Sequence, residues 1–158
     1  MKPGARAACR RPRLSHKHIG NGGLRQMRIT AFCCHNSLYG VGGAAKMSKA
    51  EVPGVHKVEL PCSGRLEPIY ILKEFENGAD GVVVVACPAK MCQLIHGSAR
   101  MEKRIEYAKK LISDAGMEPE RLMLFRPEPP AAPRLAEIIE EATAGFAALG
   151  PSPLMAAV

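Results

Sequence analysis

Between residues 28 and 150 the apolar positions follow two periods in turn. Four short runs, Arg28–Phe32, Val55–Leu60, Gly81–Ala86 and Arg121–Arg126, are dense in apolar and β-branched residues and read as strands. Between and after them, apolar residues return every three or four positions, as on one face of a helix. Pro68, Ile71, Leu72 and Phe75 mark a helix over about 67–77, with Pro68 suited to its first position. Met101, Ile105, Ala108 and Ile112 mark a second over about 98–115, with Ser98 as N-cap and Gly116 just past its end. Leu135, Ile138, Ile139, Ala142, Phe146 and Leu149 share one face of a third, over about 133–149, which Gly150-Pro151 stops. A helix over about 38–50 has only a faint stripe (Leu38, Val41, Ala45, Ser48), and Gly40, Gly42 and Gly43 each cost on the order of 0.5–1 kcal/mol relative to Ala.

Strand and helix therefore alternate four times. That order implies a parallel sheet with right-handed crossovers and helices on both faces. The run Val82–Val85 is apolar throughout, as a strand covered on both sides requires. With four strands, the most economical arrangement is a small flavodoxin-like open sheet of order 2-1-3-4, whose ligand-binding edge lies at the carboxyl ends of the strands.

Charge narrows the picture by where it sits. The net charge of +7 invites a nucleic-acid reading, but residues 1–26 hold seven basic residues and no acid. With 22 basic and 15 acidic residues in all, the rest of the chain holds 15 of each and is neutral. Residues 1–26 read as a disordered basic leader, upstream of a natural start at Met27; 27–150 read as one domain and 151–158 as a flexible tail. An organellar transit peptide is the competing reading of the leader, and its Gly and Pro content makes it a poor amphipathic helix. No stretch approaches the roughly 20 apolar residues of a membrane span, and neither a membrane nor a nucleic acid is expected as a partner.

Six cysteines without an export signal point to a reducing compartment, the cytoplasm, where clustered thiols serve as metal or redox groups. Cys34, Cys62 and Cys87 each fall at or just past the end of an expected strand, and Cys92 lies five residues beyond Cys87. In the 2-1-3-4 order these ends are neighbours, so four thiols converge on the carboxyl edge and suggest a metal or iron–sulfur site. Cys33 adjoins Cys34 but should point to the opposite face of its strand, and reads as a packing thiol. His35 and His96 are alternative ligands, which would give a Rieske-like or zinc site. Gly64 allows close backbone approach beside Cys62. Arg65 and Lys90 are the charged residues placed to touch a partner at this edge.

Other chemistries fare worse. Gly40-Val41-Gly42-Gly43-Ala44-Ala45 fits G-x-G-x-x-A, with Glu59 near the end of the second strand, but its first Gly falls about seven residues past the strand, where a dinucleotide site wants an immediate turn. A phosphatase-type loop would need Arg where Gln93 follows Cys87. A nucleotide- or flavin-binding domain thus ranks third, behind a zinc- or thiol-based structural or sulfur-transfer module.

Several segments together resemble a known family. They are Phe32-Cys33-Cys34-His35-Asn36-Ser37, Pro61-Cys62-Ser63-Gly64-Arg65, Asn77-Gly78-Ala79-Asp80-Gly81-Val82, Cys87 to Cys92 followed by His96-Gly97, and Gly116 to Leu122. Over about residues 28–150 the chain resembles the delta subunit of methyl-viologen-reducing (F420-non-reducing) hydrogenase, the hydrogenase iron–sulfur subunit. The resemblance implies a [2Fe–2S] cluster on a small α/β domain. It also implies electron transfer between a hydrogenase or formate dehydrogenase and a heterodisulfide-reductase-type flavoprotein. Family members often have C-x-x-C at the first motif, and here Ser37 holds the second position. That leaves Cys34, Cys62, Cys87 and Cys92 as the four thiolates for one cluster, with Cys33 and Ser37 as the alternative ligands. A non-catalytic electron relay, with its chemistry in its partners, is the expected role.

Overall fold

A computed structural model describes residues 26–39, 52, 54–127 and 135–156. Four parallel strands, β1 (Ile29–Cys34), β2 (Val55–Leu60), β3 (Gly81–Val85) and β4 (Leu122–Phe125), form one open sheet in the order β2-β1-β3-β4. This is the expected α/β arrangement. Every residue of β1 and β3 is buried, as central strands demand, whereas β2 and β4 are half-covered edges.

The pleat sorts the core into two layers. Phe32, Val82, Val84 and Leu122 face α2 (Pro68–Glu76) and α3 (Gly97–Asp114), which contribute Ile71, Phe75, Met101, Ile105, Ala108 and Ile112. Ile29, Ala31, Cys33, Val83 and Val85 face α4 (Leu135–Leu149), which contributes Leu135, Ile138, Ile139, Ala142 and Phe146. The stripes read from the sequence are the faces that are buried. Each large aliphatic or aromatic side chain so covered is worth roughly 1.5–3 kcal/mol.

Some boundaries differ from expectation. A helix, α1 (His35–Tyr39), begins directly at the end of β1, before the expected start at 38; the rest of that expected span, with Gly40 to Ala45, lies outside the described residues. Strand β1 runs on through Cys33 and Cys34. Ser98 is not the N-cap of α3: the helix starts at Gly97, His96 takes the cap position, and the Ser98 hydroxyl donates instead to the Cys87 carbonyl at 2.6 Å. Gly116 does follow α3 with φ of +79°, the left-handed geometry a helix stop favours.

Arg121 belongs to a 3-10 turn before β4 and not to the strand. Its side chain is fully buried and all five N–H groups are used. It donates to the Glu118 carboxylate and to the carbonyls of Asp80, Leu149, Gly150 and Pro151, at 2.7 to 3.2 Å. Asp80 in turn accepts from the backbone N–H groups of Arg28 and Ser152. This knot closes the amino end of the sheet and caps α4. It also ties down Pro151 and Ser152, where a flexible tail is expected, and α5 (Pro153–Ala156) follows. Of the leader expected over residues 1–26, residues 1–25 lie outside the described residues.

Candidate metal centre

The carboxyl ends of the strands gather the cysteines. Cys34 is the last residue of β1; Cys62 and Cys87 each lie two residues past β2 and β3; Cys92 follows a 3-10 turn at Ala89–Met91. Cys34, Cys62 and Cys87 are buried and Cys92 is partly exposed. The Sγ atoms of Cys34 and Cys87 are 3.6 Å apart. Two thiolates on one tetrahedral metal, with bonds of about 2.3 Å, are separated by about 3.8 Å.

The Sγ atoms of Cys62 and Cys92 both lie against Gly97. A Cβ on Gly97 would stand 2.5 Å from the Cys62 Sγ and 3.2 Å from the Cys92 Sγ. Gly64 is fitted as tightly, since its missing Cβ would meet the Gly97 Cα at 2.8 Å. The two glycines let the Cys62 loop lie directly on the start of α3. The Cys62 Sγ also accepts from the Gly64 N–H at 3.3 Å.

The electrostatics of Cys34 and Cys87 reflect this crowding. Cys34 is drawn down to about 5 from the ordinary 9.0, first by the hydrogen bond from Cys87, against the opposing effect of burial. The backbone N–H groups of Ser63, Ser37 and Asn36 add to the same stabilisation of the thiolate. Cys87 is pushed up, because it donates to Cys34, is buried, and lies near Cys34, Cys92 and Cys62. One proton is thus shared within the Cys34–Cys87 pair. Among the described residues, no three Cys, His, Asp or Glu side chains are drawn close enough to hold a single metal ion as they stand.

The neighbours sort differently. Cys33 is fully buried in the layer under α4, and burial pushes its thiol up to about 12. The Ser37 hydroxyl donates to the Ala86 carbonyl at 3.2 Å, beside Cys87. His35 and His96 are exposed, at the starts of α1 and α3. Arg65 and Lys90 are exposed in the loops that carry Cys62 and Cys92. Arg104 of α3, which sequence patterning does not single out, donates to the carbonyls of Gly64 and Leu66 at 2.8 and 3.0 Å.

An iron–sulfur cluster is the group these observations suit. Four thiols gather at a sheet edge, Cys34 against Cys87 and Cys62 and Cys92 both against Gly97, in a space that exists only because residue 97 lacks a side chain. The geometry puts four thiols at the carboxyl edge of a parallel α/β sheet, a donor set of the kind that suits a metal or cluster.

Comparison with known proteins makes the class specific. Residues 29–150 match the family described as methyl-viologen-reducing hydrogenase, delta subunit, and the chain belongs to that family. It is similar to the vhu iron-sulfur subunit of the F420-non-reducing hydrogenase of Methanocaldococcus jannaschii, with 35% identity over 129 residues, 81% of this chain and 96% of the relative. It is similar to the iron-sulfur subunit of the F420-non-reducing hydrogenase of Archaeoglobus profundus, with 37% identity over 99 residues, 63% of this chain and 72% of the relative. It also resembles part of a ferredoxin:CoB-CoM heterodisulfide reductase chain of Methanosarcina mazei, with 29% identity over 124 residues, 78% of this chain but 16% of that longer protein.

Proposed function

We propose that the chain is an electron-transfer subunit that holds a [2Fe–2S] cluster on Cys34, Cys62, Cys87 and Cys92. In this reading it relays electrons between a hydrogenase or formate dehydrogenase and a heterodisulfide-reductase-type flavoprotein. The observation that carries the reading is the gathering of the thiols, Cys34 against Cys87 and Cys62 and Cys92 both against Gly97. Four thiolates suit two irons, each needing two. When bound, such a cluster supplies a one-electron redox centre.

The chain's own residues prepare that centre. The N–H groups of Asn36, Ser37 and Ser63 stabilise negative charge on Cys34, and the N–H of Gly64 does so on Cys62. Cys87 gives up a proton when it ligates. Cys33 is withheld in the core on the other side of the sheet. Cys92, the partly exposed thiol, brings the site toward solvent, as a relay needs. Around it Met91, Leu94 and Ile95 are exposed, with Lys90 in the same loop and Arg65 in the Cys62 loop, and this edge is the docking face. The relatives' names support the partner classes, since one relative belongs to a hydrogenase and another is a heterodisulfide reductase chain containing a similar segment. Among the described residues no helix is long and apolar enough to cross a membrane, and free cysteines suit a reducing cytoplasm.

The test is anaerobic preparation with iron and acid-labile sulfide analysis. About two irons and two sulfides per chain are expected. Alanine at Cys34, Cys62, Cys87 or Cys92 should abolish or strongly weaken the visible absorption, and Cys33→Ala should not. One zinc per chain without sulfide would sink the reading.

A further inference from the structure

We infer that Arg104 is a positioning residue, holding the Cys62 loop where the Cys62 thiolate can meet the cluster. The inference rests on the cluster reading above. Arg104 sits two turns into α3, and one of its terminal nitrogens donates to both the Gly64 and the Leu66 carbonyls, at 2.8 and 3.0 Å. Its other terminal nitrogen stands 3.8 Å from the Glu67 carboxylate. The loop's own bonds, Arg65 N–H to the Cys62 carbonyl and Leu66 N–H to the Ser63 carbonyl, are local and fix only its 3-10 shape. The guanidinium is what ties that shape to a helix some 40 residues away in sequence.

The contact is one half of a clamp. On one side Gly64 lies against Gly97 so closely that the loop cannot move further toward the start of α3. On the other, the two Arg104 bonds stop it from lifting away. One ligand is held there. Cys62 opens the loop, its Sγ accepts the Gly64 N–H at 3.3 Å, and the same Sγ lies against Gly97. A loop that lifts would therefore carry that sulfur away from Gly97. Such outer contacts orient ligands and tune a bound metal, and their loss typically costs about 10–100-fold in affinity.

The test uses the full chain, prepared anaerobically, as wild type, Arg104→Met, Arg104→Lys and Lys110→Met. Lys110 is an exposed cation on the same helix and serves as a control for charge. Bleaching by an iron chelator should be about 10–100-fold faster in Arg104→Met, with an altered electron paramagnetic resonance signal of the reduced cluster. Arg104→Lys, whose ammonium can still donate to a carbonyl, should recover part of both, and Lys110→Met should match wild type. In cluster-free protein, Cys62 should alkylate faster in Arg104→Met while the unfolding midpoint stays close to wild type. Wild-type bleaching, signal and Cys62 alkylation in Arg104→Met would overturn the inference. So would loss of cooperative unfolding in that cluster-free variant, which would make the role structural. Wild-type protein lacking iron and sulfide would instead overturn the cluster reading itself.

Discussion

A methyl group on Gly97 would lie 2.5 Å from the Sγ of Cys62. Real Cβ atoms do not come that close to sulfur, so the first residue of α3 is glycine because a thiol occupies its side-chain volume. Gly97→Ala must push Cys62 aside, and Cys92 with it, since that sulfur would be 3.2 Å from the same methyl. The helix itself should tolerate alanine, a better helix former than glycine. The expected outcome is a folded protein with wild-type far-ultraviolet dichroism and little bound iron. Wild-type iron content in Gly97→Ala would show that the thiols do not converge on this glycine.

Cys34 gives the cluster-free protein a pH dependence with a definite sign. Its folded value of about 5 lies below the ordinary 9.0, so between those values the unfolded chain binds a proton that the folded chain does not. Stability from this group is fully present above about pH 9, declines as pH falls, and is lost below about 5, with a slope of at most about 1.4 kcal/mol per pH unit. Cys33, raised to about 12, and Cys87, also raised, act oppositely: their contribution is whole below about pH 9 and is lost as pH rises further. Denaturant midpoints of reduced, cluster-free protein should therefore climb between about pH 6 and 8, and Cys34→Ser should flatten that climb. Parallel pH profiles for the two proteins would remove Cys34 as the source.

The strand order and the buried helix faces were legible because they depend on periodicity, which the sequence displays directly. Ile71 and Phe75, Met101 and Ile112, and Leu135 and Phe146 fall at helical spacing and do fill the two core layers. The placement of Cys34, Cys62 and Cys87 at strand ends was legible for the same reason. What composed the site around them was not. Gly97 shows in the sequence only as a glycine after a histidine, and its meaning depends on a sulfur 35 residues upstream. Arg104 looks like one more polar residue on an amphipathic helix, because its partners are backbone carbonyls, which leave no trace in residue type. Ser98 has the chemistry of an N-cap and stands where one belongs, yet a buried carbonyl at Cys87 claims its hydroxyl.

Docking at the cysteine edge should combine steering charge with apolar contact. Ile95 is exposed, lies three residues from Cys92, and has φ of +54°, a conformation rare for a β-branched side chain. Met91 and Leu94 are exposed beside it in the chain. Arg65→Glu and Lys90→Glu should slow association with a redox partner in a salt-dependent way, leaving the cluster spectrum unchanged. Ile95→Asp should weaken the complex at every salt concentration, since apolar burial is not screened. Wild-type electron-transfer rates for all three at low salt would place the docking face elsewhere.

The knot at the other end of the sheet makes the opposite prediction. Arg121 satisfies four carbonyls and one carboxylate, and Asp80 accepts two backbone N–H groups beside it. Arg121→Met keeps much of the side-chain volume but strands those carbonyls, three of which close α4 and the turn after it. Each buried polar group left without a partner costs about 1–3 kcal/mol, and Glu118, nearly half exposed, can hydrate and so adds little. With four carbonyls stranded, a loss of at least about 4 kcal/mol in unfolding free energy is expected. Since the knot lies at the amino ends of the strands and the thiols at their carboxyl ends, the surviving folded protein should keep the wild-type iron content and spectrum. The decisive comparison is between the unfolding midpoint and the iron bound per folded chain. A variant that held its midpoint, or that lost its iron while remaining folded, would show that the two ends of the sheet are not independent in the way the geometry requires.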